Sequence, residues 1–239
     1  MPIENDILNY CREYNVPIEY LMEILNDQKV LPMIRGKASE YNSYLALKRV
    51  LPVTEWTVTK LNLNAQPNTS DQDVSIMHRR TGMNLTVETK NAVRGSFKNG
   101  LRAKICVVPH FRIKCHRSRS NMSLATTSND RYAVGCFDIV ISNVSNAIIQ
   151  GNTIGERLEL LHNPELLEVA KEHYGVSSHA ELLAATNNDW RFALSRDIAE
   201  DGFIPRTPLV RLINDPHWKS LDTIERTLLA YLTEIRNNR

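Results

Sequence analysis

Two short segments decide how this chain is read: Asp73-Val74-Ser75-Ile76-Met77 and Leu85-Thr86-Val87-Glu88-Thr89-Lys90. Alternate residues of a strand share a face, so the second segment divides cleanly. Leu85, Val87 and Thr89 are expected to point into the core, and Thr86, Glu88 and Lys90 to emerge together on the other side. Thr81-Gly82 between the segments predicts a hairpin, which carries the carboxylate of Asp73 toward that of Glu88.

Two carboxylates held side by side repel unless a cation lies between them. Oxygen ligands select hard ions, and one or two carboxylates completed by substrate phosphate suit Mg²⁺. Lys90 adds a positive charge where a phosphodiester needs one, to orient a water or to stabilise charge on phosphorus. The backbone carbonyl of Thr89 is the expected third metal ligand.

Outward from this centre, helices are expected at Asn5–Tyr14, Pro17–Asn26 and Lys37–Leu51, the last approached through a Leu31-Pro32-Met33 connector and stopped by Pro52. Thr57–Leu63 alternates with period two and predicts a strand, as do Asp73–Met77, Asn84–Lys90, Ala103–Val108, Phe111–Cys115 and Phe137–Ile141. Ser118–Asp130 is polar and loop-like. Beyond Gly151 the helical period returns at Pro164–Tyr174, Ser178–Thr186, Trp190–Ala199 and Ser220–Arg236, with Trp190 and Trp218 as core residues. The expected class is α/β (α+β): a central mixed sheet flanked by helices, with residues 1–150 as core and 151–239 as a helical lobe packed on it, or one continuous domain.

The order Asp73, fourteen intervening residues, then Glu88-Thr89-Lys90 closing an apolar strand resembles the PD-(D/E)XK nuclease superfamily, and within it the type II restriction endonucleases. The resemblance spans roughly residues 36–142. It implies the mixed sheet, a metal site built by Asp73 and the Glu88–Lys90 strand, and a glutamate on the helix before the first strand, a place that Glu40 fits. Ser70-Asp71-Gln72-Asp73 departs from the family pattern because no proline precedes the aspartate, and Asp71 is a rival for the metal position.

Charge is segregated. Between Arg79 and Tyr132 twelve Lys or Arg face two acids, a net +10, which leaves −8 on the remainder of a chain whose formal charge is +2. Such a block is the footprint of a polyanion surface. Lys114, His116, Arg117, Arg119 and Asn121 are the candidate DNA contacts after the strands, with Asn91 and Arg94 directly behind the motif and Arg79 and Arg80 beside the hairpin turn.

Other chemistries find no pattern. Neither a P-loop nor a GxGxxG occurs, so no nucleotide cofactor is expected, and no nucleophile elbow is present. Cys106, His110, Cys115 and His116 match no familiar zinc spacing. Four cysteines without framework spacing, a polar N-terminus and the lack of a long apolar run predict a cytoplasmic protein without a membrane span. The sequence therefore predicts a Mg²⁺-dependent nuclease acting on double-stranded DNA as a homodimer. A repair or structure-specific nuclease of the same fold and a non-catalytic DNA-binding protein are the alternatives.

Overall fold

The hairpin forms around Gly82, whose φ of 68° lies in the left-handed region that glycine enters without steric cost. A computed structural model of the chain describes residues 2–61, 72–100, 108–116, 130–150 and 159–237. Within them the chain opens with α1 (Pro2–Glu13), a 3₁₀ turn, α2 (Leu21–Leu25) and α3 (Leu31–Val50). The strands β1 (Trp56–Lys60), β2 (Val74–His78), β3 (Asn84–Thr89), β4 (His110–Arg112) and β5 (Ile139–Asn143) follow. After them come α4 (Ser145–Ile148), α5 (Pro164–Tyr174), α6 (His179–Asn188), β6 (Trp190–Leu194), β7 (Leu209–Arg211), β8 (Lys219–Ser220) and α7 (Ile224–Asn237). The class is α+β.

One mixed sheet runs β1-β2-β3-β5-β6-β8, and β4 pairs with β7 apart from it. β2 and β3 are antiparallel with Val74 opposite Val87, whereas β3 and β5 are parallel with Val87 beside Ile139. Alternation feeds two cores. Val74, Ile76, Leu85, Val87, Ile139 and Ile141 pack with Leu47 of α3 and with Ile224 and Leu228 of α7. Val140 faces the other way, into a cluster with Phe111, Phe137, Ala147, Ala170 and Leu182. Each large apolar side chain so buried stabilises the fold by roughly 1.5–3 kcal/mol. Trp190 and Trp218 are both buried, as their sequence context predicts.

Three expectations need correction. α3 begins at Leu31 rather than Lys37: Pro32 sits in its first turn, where the missing N–H has no helical partner to lose. Trp190–Ala199 is not a helix, because Trp190–Leu194 forms β6 and is followed by a 3₁₀ turn at Ser195–Asp197. Trp190, Phe192, Ala193 and Leu194 are all buried, and a strand covered on both faces loses the period-two signature. The segment read as a helical lobe therefore sends β6 and β8 into the same sheet as β5. Among the described residues no helix is long and apolar enough to cross a membrane.

Candidate active site at the end of strand β3

Alternation places Glu88 opposite Val87, on the sheet face covered by the second core, so its carboxylate is not on open surface but 2% exposed. A charge buried this deeply needs a partner. Lys90 supplies it: Nζ lies 2.6 Å from Glu88 Oε1 and donates to the Tyr132 hydroxyl at 2.8 Å. Tyr132 in turn donates to Glu88 Oε1 at 3.4 Å, and the ammonium sits 4.7 Å from the centre of its ring. Burial pulls the Lys90 pKa down, but Glu88 and Tyr132 more than reverse this, and the net shift is upward. Lys90 is a fixed cation at physiological pH, not a base.

Asp73 precedes β2 and reaches along the end of β3. Its amide donates to the Val87 carbonyl at 3.0 Å, and its Oδ2 accepts the Thr89 amide at 2.7 Å. Thr89 is held from the other side, its hydroxyl 2.7 Å from that of Ser43 on α3. The same helix presents Glu40, whose Oε2 accepts from Lys60 Nζ at 3.1 Å and from Lys37 Nζ at 2.9 Å. Lys60 also donates to the Asp73 carbonyl at 3.1 Å. Burial first, then the charge of Glu40, pushes the Asp73 carboxyl from its ordinary 3.8 up to about 6, against the pull of the Thr89 amide, Lys90 and Lys60. A carboxylate held in such a place is stabilised by an added cation.

Glu40, Asp73, Glu88, Thr89 and Lys90 are thus gathered at one end of the sheet. Among the described residues no three His, Cys, Asp or Glu side chains converge into a ready-made metal cage. The donor set still fits Mg²⁺, which takes few protein carboxylates and completes its shell with water and phosphate. The second oxygen of Asp73 makes no hydrogen bond among the described residues. Asp73 and Glu88 would hold the ion, with Glu40 behind Asp73.

The expected DNA contacts divide. Lys114 and His116 are exposed, and the Lys114 amide donates to the Asn91 carbonyl at 3.0 Å, which lays this segment beside the residue after Lys90. Arg94 is half-buried nearby, and burial lowers its pKa. Arg79 and Arg80 do not join the site: they follow β2 at the end opposite Asp73, about 20 Å away along a strand. Arg117, Arg119 and Asn121, the rival Asp71 and most of the expected strand Ala103–Val108 lie outside the described residues.

Sequence reasoning missed Lys60, Ser43 and Tyr132. Lys60 carried a signal, since it falls on the Trp56–Val58 face of an alternating strand, where a lysine needs an acid. Tyr132 carried none, because it meets Lys90 across forty-two residues. No protein-family model, curated protein or solved structure matches the chain.

Proposed function

We propose that this chain is a Mg²⁺-dependent endonuclease that hydrolyses phosphodiester bonds of double-stranded DNA, of the type II restriction kind, on a restriction-endonuclease-like fold. One observation carries the reading: the Asp73 carboxylate accepts the amide of Thr89, the residue that separates Glu88 from Lys90 in the chain, and burial and Glu40 raise its pKa. When bound, Mg²⁺ would supply charge neutralisation at the phosphoryl oxygens. The protein's own parts have separate tasks. Asp73 and Glu88 offer oxygens, Thr89 fixes Asp73, and Ser43 fixes Thr89. Lys90 brings a permanent positive charge to the phosphate that undergoes attack, aimed by Tyr132. Lys60 holds Glu40 and the Asp73 backbone in register.

A homodimer suits palindromic duplex sites. Ile3, Ile7 and Tyr10 on α1, with Tyr14 just after its end, recur at helical spacing and are 42–65% exposed, an apolar stripe that a second copy would cover. Plasmid DNA incubated with the purified protein tests the activity. Cleavage with Mg²⁺ and none with EDTA supports it, and intact plasmid in both removes it. Discrete bands from unmodified DNA mark restriction, whereas cutting confined to flaps, nicks or mismatches marks a repair nuclease.

A second reading has its own observation. The Glu88–Lys90–Tyr132 contacts form without any ion, as in a structural pair stapling β3 to the segment at Tyr132. On that reading the protein binds DNA without cutting it, and salt-sensitive binding appears with no Mg²⁺-dependent product.

A further inference from the structure

A polar groove of about 560 Å³ lies along α3, and the cations that line it come from outside the basic block. One wall is a stripe of α3, where Arg35, Asn42 and Arg49 recur at intervals of seven residues and so share a face. The two guanidinium groups hang from positions about 21 Å apart along the helix. Asn91 and Asn146 also line it, as does Asn188, which accepts from Arg49 Nη1 at 3.4 Å. Among the described residues that line the groove there is no carboxylate. Among the described residues the side chains of Asn42, Asn91 and Asn146 make no hydrogen bond, so their amides are turned to whatever enters.

Along the chain the groove's residues are close neighbours of the candidate active site. Asn91 follows Lys90 directly, and Asn42 lies between Glu40 and Ser43 on α3. Cations spaced along a helix, amides able both to donate and to accept, and an absence of acids describe a ligand that is anionic at intervals and rich in polar edges. A nucleic acid strand has both properties; an isolated small anion uses only one end of such a groove.

We infer that this groove seats the DNA duplex next to the phosphate being cut, with Arg35 and Arg49 on backbone phosphates and Asn42, Asn91 and Asn146 on sugar or base edges. The inference rests on the nuclease reading for its ligand and places two cationic contacts, Arg35 and Arg49, outside the basic block.

The test is binding of a short fluorescein-labelled duplex, measured by anisotropy in EDTA across a salt series. The Arg35→Ala/Arg49→Ala double variant is expected to bind at least about tenfold more weakly, with the slope of log K against log salt reduced by about two. Arg226→Ala, an exposed change on α7, is expected to bind as the native chain does. Native affinity and slope in the double variant, with an unchanged circular dichroism spectrum, overturn the inference, as does a native chain that binds no duplex. If the double variant misfolds, Asn42→Asp decides in its place, because it sets a carboxylate among the phosphates and is expected to weaken binding by a similar factor. EDTA separates the two claims. Groove-dependent binding by a protein that never cuts removes the nuclease reading and keeps the groove; Mg²⁺-dependent cutting by variants that bind normally removes the groove alone.

Discussion

The Asp73 carboxylate accepts the Thr89 amide at 2.7 Å, so the acid ahead of one strand is fixed to the middle residue of the Glu88-Thr89-Lys90 triplet on the next. This bond turns a sequence pattern into a place. It joins the hairpin at its open end, brings Asp73 under the influence of Lys90, and leaves one carboxylate oxygen for another ligand.

Asp73 is expected to make stability fall as pH rises. Its folded pKa is about 6 against an ordinary 3.8, so over that interval the folded state holds a proton that the unfolded chain has released. The cost of ionising it is absent below about pH 3.8 and fully present above about pH 6, on the order of 2–3 kcal/mol. Asp73→Asn keeps an oxygen for the Thr89 amide and cannot ionise. Urea denaturation at about pH 7.5 should find this variant more stable than the native chain, with the difference gone near pH 3.5.

The Glu88–Lys90 pair predicts asymmetric damage. Lys90→Met strands a buried carboxylate and should cost about 3–5 kcal/mol, whereas Glu88→Leu/Lys90→Met should lie nearer the native stability than either single variant. Tyr132→Phe removes the hydroxyl but leaves the ring beneath the ammonium, and about 1 kcal/mol should be lost. Urea midpoints for the native chain, the two single variants, the double variant and Tyr132→Phe check this. A double variant worse than both singles would contradict it.

Ser43→Ala removes the hydroxyl that meets Thr89 between α3 and β3 in a buried setting. The expected loss is about 1–2 kcal/mol in urea denaturation. Cleavage should slow by more than the lost stability accounts for, because the Asp73 support moves with Thr89.

The α1 stripe predicts the oligomeric state. Sedimentation equilibrium should give a dimer for the native chain and a monomer for Ile7→Glu, which sets a charge in the apolar row. An Ile7→Glu protein that stays dimeric would move the interface elsewhere.

Much of the candidate site's local frame was legible because its signal is local. The period of two in Leu85–Lys90, the turn glycine and the stop at Pro52 each depend on residues within a few positions. What failed was non-local. β6 is covered on both faces, so its pattern reads as a helix as readily as a strand. Arg79 and Arg80 looked adjacent to the motif, yet a strand's length separates them from Asp73. The Lys60–Glu40 pair spans twenty residues, and the Arg35–Asn42–Arg49 groove takes its other lining from segments more than forty residues onward. No local pattern announces either.

The most direct test of the central claim is the single-turnover rate of Mg²⁺-dependent plasmid cleavage by Lys90→Ala against the native chain, with DNA affinity measured in parallel. A Lys90 that stabilises charge at phosphorus predicts a rate about 100- to 1,000-fold lower with affinity largely retained. Equal rates for the two proteins would contradict it.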